Sequence, residues 1–141
     1  MNYDNTMQMS FPAKPVNEAL ARLTVSAFIA PLDPVLSDVS DIKTAVSEAV
    51  TNAIIHGYGE KEGEVFLFCG YAGRTLYITV EDHGCGIEDI EQARQPLFTT
   101  KPDEERSGMG FTVMETFMDN LDVLSAPGEG TRIKLLKVLS D

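Results

Sequence analysis

The segment SEAVTNAIIHGY, residues 47–58, carries two patterns on one helix. Val46, Ala49, Val50, Ala53 and Ile54 form an apolar stripe at the spacing of a helix face packed on a core. Glu48, Asn52 and His56 recur every four residues, so they stack on a different side of that helix. A carboxylate, an amide and an imidazole in a row are either a solvated face or one wall of a site. The segment alone does not choose between them.

The chain of 141 residues is read as a single domain, 1–141. A domain near this size buries about 70% of its unfolded surface, enough for a core without covalent staples. With 43% apolar and 23% charged residues, the composition is that of a soluble globular protein. The net charge of -11 argues against nucleic acid as a partner, because phosphate contacts need clustered Lys and Arg. Cys69 and Cys85 make neither a disulfide framework nor a zinc spacing, and read as free thiols of a reducing compartment. No apolar run reaches membrane-spanning length and MNYDNTMQMSF is no secretory leader, so the expected location is the cytoplasm, without a membrane partner.

Outward from the opening segment, the elements alternate. MQMSF reads as a first strand. NEALARLTVSAFIA follows as a helix, with Leu20, Leu23, Ala27 and Phe28 at helical spacing, Asn17 as cap, and Pro31 and Pro34 as the stop. SDIKTAVSEAVTNAIIH is a second helix, capped by Ser40 or Asp38 and ended by Gly57. EVFLFCGY and RTLYITVED form a hairpin in which Leu76, Ile78 and Val80 supply the buried face. A long irregular stretch comes next, with a short helix over residues 87–94. GMGFTVMETFMDN is a third main helix, with Phe111, Met114, Phe117 and Met118 on one side, and DVLSA and TRIKLLKVL close the chain as a hairpin. The expected fold is therefore α+β: a two-layer sandwich, with three main helices on one face of a mostly antiparallel sheet.

Two Gly-x-Gly groups flank the long stretch, DHGCG at 82–86 and SGMG at 107–110. The second opens a helix, whose first-turn N–H groups suit an anion, so a polyphosphate at 108–111 is physically sensible. Either group by itself is more often an ordinary turn. The chain lacks G-x-x-x-x-G-K-[ST], which excludes a P-loop, and neither group follows a strand as G-x-G-x-x-G, which excludes a dinucleotide fingerprint. Asp82 is either a turn residue or an acceptor for an exocyclic amino group such as adenine N6. Glu48 and Asn52, isolated, are a solvated pair; within a site, the amide oxygen suits Mg²⁺ and the carboxylate can take a proton from an attacking hydroxyl. Lys101 and Arg106 flank the acidic PDEE and are either internal ion pairs or a cationic clamp for phosphates. His56 is read as a helix C-terminal residue interacting with the dipole.

Together these motifs carry a resemblance. EAVTNAIIHGY resembles the N box of the GHKL ATPase superfamily, DHGCG its D-x-G-x-G box and GMGF its second glycine box. The form of the first box and the segment ARQPLFTTKPDEERSGMGF are similar to the sporulation anti-sigma factor serine kinases, over nearly the whole chain. That resemblance implies Glu48 as general base, Asn52 as Mg²⁺ ligand and Asp82 as the adenine-reading residue, with Gly84 and Gly86 shaping the pocket. It implies Thr99, Thr100 and Lys101 in an ATP lid, Arg106 on the γ-phosphate, and Gly108 and Gly110 beside the phosphates. Arg22 would be a partner-binding arginine. The implied protein uses ATP/ADP and Mg²⁺, forms a homodimer, holds a sporulation sigma factor (sigma F) from polymerase, and phosphorylates a serine of an anti-anti-sigma antagonist.

Two other functions compete. One is a nucleotide-dependent sigma-binding module with little kinase activity; Glu48, Asn52 and Arg106 together count against it, because a pure binder needs no base. The other is a detached histidine-kinase-type ATPase domain; these residues include no helix pair bearing a phospho-acceptor histidine.

Overall fold

The computed structural model describes residues 2–87, 90–94 and 110–141, with the side chains of residues 91 and 92 outside the description. The strands are β1 (Asn5–Pro12), β2 (Glu64–Ala72), β3 (Thr75–Asp82), β4 (Asn120–Ser125) and β5 (Thr131–Val138). The helices are α1 (Asn17–Ile29), α2 (Leu36–Asn52), the short α3 (Ile90–Ala93) and α4 (Gly110–Phe117). One sheet holds the strands in the order β1-β2-β3-β5-β4, every pair antiparallel. The α+β expectation holds.

Alternation decides which face of the sheet is dry. Leu76, Ile78 and Val80 of β3 are buried, as are their register partners Cys69 and Leu67 on β2 and Ile133 and Leu135 on β5. Against that face lies α2, through Ile42, Val46, Ala49 and Val50, all fully buried. α1 and α4 pack on its two sides with Val25, Ile29, Phe111 and Met114. Each such aliphatic or aromatic side chain contributes about 1.5–3 kcal/mol through its burial. The opposite sheet face is half-wet and aromatic. Tyr3 packs on Phe68 at 5.4 Å and on Tyr77 at 5.7 Å between ring centroids, while Phe66, Leu124 and Val138 are exposed. No helix among the described residues is long and apolar enough to cross a membrane.

Three local expectations are corrected. α1 buries Ala21, Val25 and Ile29, a row of i+4 neighbours, and leaves Leu20 46% and Leu23 54% exposed. Asn17 is inside α1 rather than its cap; its Nδ2 donates to Pro12 O at 2.8 Å, tying the helix to β1. α2 begins at Leu36, ahead of both expected caps, and Asp38 is buried in its first turn, where Oδ2 accepts from Ser140 N at 2.8 Å. That carboxylate ties the chain's last residues to the helix N-terminus, where a negative charge is favoured.

The end of α2 also differs. The helix does not stop at Gly57 but widens into a π-helical turn over Ala53–Tyr58, closed by Gly59 N donating to Ile54 O at 3.1 Å. Gly59 makes the stop, with φ at 62°. Such widened turns are frequent where a helix serves a site.

Candidate functional site

Asp82 continues the inward face of β3, in line with Leu76, Ile78 and Val80, so the strand's last inward side chain is a carboxylate, 2% exposed. Glycines close around it. A side-chain carbon at Gly57 would lie 2.7 Å from the carboxyl carbon of Asp82. One at Gly84 would collide with Gly57 O, one at Gly86 with Ala126 O, and one at Gly130 with Asp82 O. Gly86 and Gly130 also take φ of 76° and 84°, in the left-handed region that suits glycine. Gly57 thus lies against the Asp82 carboxyl and Gly130 against its carbonyl, while Gly84 and Gly86 let the following loop close on the backbone of Gly57 and Ala126, a glycine cradle that any side chain would disrupt.

The loop after Asp82 is sewn to its surroundings. Gly84 N donates to Asp82 Oδ1 at 2.9 Å. Cys85 N donates to Gly57 O at 2.8 Å, and Cys85 Sγ donates to His56 O at 3.1 Å. His83 N donates to Tyr58 Oη at 2.8 Å. Residues 56, 57 and 58 of the π turn therefore each hold one point of the loop. Beyond it, Ser125 Oγ accepts from Ile87 N at 2.8 Å and donates to Gly130 O at 2.8 Å. Its one proton is then spent, so Thr131 Oγ1 is the donor in their 2.9 Å contact.

Burial pushes the Asp82 carboxyl up to about 6, against the amide of Gly84, the neighbouring His83 and the amide of Thr131, all of which favour the ionised form; Glu81 adds to the rise. A buried carboxyl shifted toward neutral pH and enclosed by backbone is a candidate functional group. Cys69, by contrast, is a core thiol whose burial pushes it up to about 12, which makes it inert. Cys85 is exposed beside the cradle.

Of the residues singled out in the sequence, Asp82, Gly84 and Gly86 meet in this cradle. Glu48 and Asn52 sit half-buried on the last turns of α2, and the backbone from Asn52 runs through the π turn to Gly57 against Asp82. Gly110 opens α4, which packs beside α2. Arg22 lies on α1, outside the cradle, with Nε donating to Glu18 Oε2 at 2.9 Å. Thr99, Thr100, Lys101, Arg106 and Gly108 lie outside the described residues.

Four residues of the arrangement escaped the sequence reading: Gly57, Tyr58, Gly130 and Thr131. Gly57 reads as a helix stop and Gly130 as a turn until β3 and β5 are paired. Thr131 is placed opposite Asp82 only by that register. One signal was available for Asp82 itself, since the alternation Leu76, Ile78, Val80 extends to position 82 and aims its carboxylate inward.

Among the described residues, no group of three or more His, Cys, Asp or Glu side chains could hold a metal unaided. The chemistry of Asn52 is nevertheless compatible with a hard cation, since an amide oxygen suits such an ion when phosphate and water oxygens fill its other positions.

Comparison with known proteins agrees with the fold. The family profile described as histidine kinase-like ATPase domain matches residues 11–137. The anti-sigma F factor of Clostridium kluyveri is 56% identical over 138 residues, covering 98% of this chain and 97% of its own. That of Bacillus subtilis is 56% identical over 137 residues, covering 96% and 94%. Among solved structures, the RsbU and RsbW domains of a Mycobacterium tuberculosis protein superpose with a TM-score of 0.71 at 21% identity, over 97% of this chain and 33% of the other, which shows a shared fold.

Proposed function

The chain belongs to the histidine kinase-like ATPase domain family, in the company of anti-sigma F factors, and from that membership we propose an anti-sigma factor that is also an ATP-dependent protein-serine kinase. Its sigma factor is sigma F, as the relatives' name has it, and its kinase substrate is a serine of an anti-anti-sigma antagonist, which phosphorylation inactivates. The observation that carries the nucleotide reading is the glycine cradle around Asp82, joined through the π turn to the helix that bears Glu48 and Asn52.

In this reading, the ionised Asp82 accepts a hydrogen bond from the adenine amino group. Glu48 takes the proton of the serine hydroxyl as its oxygen attacks the γ-phosphorus. The bond from that phosphorus to the β–γ bridging oxygen breaks, and ADP leaves. Asn52 supplies an amide oxygen to Mg²⁺, which when bound would offset phosphate charge. Arg106 and Lys101 are assigned to the γ-phosphate and the lid, Thr99 and Thr100 to the lid, and Gly108 and Gly110 to the phosphates.

Partner binding is assigned to α1. The helix carries Arg22, ion-paired to Glu18, and leaves Leu20 and Leu23 exposed, apolar surface that suits a protein partner better than water. The protein is proposed to act as a cytoplasmic homodimer, a reading supported by the aromatic outer sheet face around Phe68 and Tyr77.

The nucleotide reading has a pH signature. Asp82 accepts most strongly as the carboxylate, because protonation turns one oxygen into a donor, and it takes up its proton near pH 6. ADP binding should therefore hold at neutral pH and weaken on acidification, by about fourfold between roughly pH 7.5 and 5.5. Asp82→Asn should bind ADP weakly and without that slope. A wild-type affinity that stays flat by calorimetry over this range would remove Asp82 as the base-reading acceptor.

A further inference from the structure

We propose that Tyr58 is a positioning residue that sets the base discrimination of the nucleotide site by holding the peptide that follows Asp82. The inference rests on the reading of Asp82 as the base-reading acceptor. The Tyr58 hydroxyl makes two bonds of opposite sense: it donates to Glu64 O at 2.6 Å and accepts from His83 N at 2.8 Å. One hydroxyl thereby joins the end of the π turn, the first residue of β2 and the residue directly after Asp82.

The ring has a built seat. A side-chain carbon at Gly63 would fall against Cε1, Cδ1 and Cζ of Tyr58, so only glycine leaves room for the ring there. Gly63 is itself fixed, its carbonyl accepting from Ala13 N at 2.8 Å. On the other side, Gly57, next to Tyr58 in the chain, carries the Asp82 carboxyl against its own Cα. Asp82 is thus held from two directions by consecutive residues: its carboxyl by Gly57, and the peptide leaving it by Tyr58. Loss of the hydroxyl would free the His83 peptide to rotate, and the carboxylate it follows would lose its fixed direction.

A carboxylate aimed less well loses most where a 6-amino group is being read, and least for a base that lacks one. The test is ADP against IDP, which carries a carbonyl at that position and lacks the 6-amino donor. Tyr58→Phe should raise the Kd for ADP about fivefold and that for IDP less than about twofold, so the preference for ADP shrinks. Gly63→Ala, which displaces the ring while keeping the hydroxyl, should shrink it as well. A general loss of packing would lower the melting temperature or weaken both nucleotides equally, leaving the ratio unchanged. If Asp82→Asn abolishes the ADP preference while Tyr58→Phe and Gly63→Ala both keep the wild-type ratio, the role assigned to Tyr58 is wrong. If Asp82→Asn itself keeps the preference, the underlying reading of Asp82 fails instead.

Discussion

Replacing Glu48 with alanine should slow phosphoryl transfer to the antagonist's serine by about 10²–10⁴-fold, while ATP affinity stays within about twofold. The split follows from what each group does. In the proposed mechanism the nucleotide is gripped by the Asp82 cradle and by donors to its phosphates, and Glu48 is not among them. There the Glu48 carboxylate is assigned to the second substrate, a serine hydroxyl that is a poor nucleophile until its proton has somewhere to go. Glu48 is on α2 among good helix formers and alanine is the best of these, so the helix should persist, as a melt by circular dichroism would check. Single-turnover transfer at the wild-type rate would remove Glu48 from the chemistry; a parallel loss of ATP affinity would make it a binding residue.

Asn52→Ala should weaken ATP binding at least about 100-fold in the presence of Mg²⁺, and much less when the ion is chelated. An amide oxygen one helical turn from Glu48 is a hard, neutral ligand, and alanine offers nothing in its place. Asn52 also immediately precedes the π turn. A merely structural effect would therefore reach Asp82 through Gly57 and weaken binding with and without Mg²⁺ alike. Calorimetry in Mg²⁺ and in a chelator separates the two. Unchanged affinity in Mg²⁺ would take Asn52 out of the metal site.

The polar row of Glu48, Asn52 and His56 was legible because helical periodicity needs only local spacing, and the sheet because alternation does too. Leu76, Ile78 and Val80 announce the dry face of β3, and they lie buried. Where the sequence misled, competition between faces was the cause. Leu20 and Leu23 have the right period for packing, but Ala21, Val25 and Ile29 have it as well, and the smaller residues let α1 approach the core more closely. Their exclusion from the core leaves the two leucines exposed on the helix that also carries Arg22, where a partner surface would use them. Asn17 and Asp38 have the chemistry of caps, yet their side chains serve tertiary contacts, with Pro12 and Ser140, that no local rule contains. Gly57 shows the same limit. A glycine after an apolar helix reads as a stop, whereas its missing side chain makes room for a carboxylate twenty-five residues later.

This anti-sigma-type fold is proposed to perform phosphoryl transfer as well as nucleotide-dependent binding. Incubation of the protein with ATP, Mg²⁺ and a candidate anti-anti-sigma protein, followed by intact mass, tests it most directly. The antagonist should gain the mass of one phosphoryl group, ADP should not replace ATP, and Glu48→Ala should leave the antagonist unmodified over the same time. An antagonist that stays unmodified while the wild-type protein demonstrably binds both ATP and the sigma factor would contradict the account and leave a nucleotide-dependent binding module.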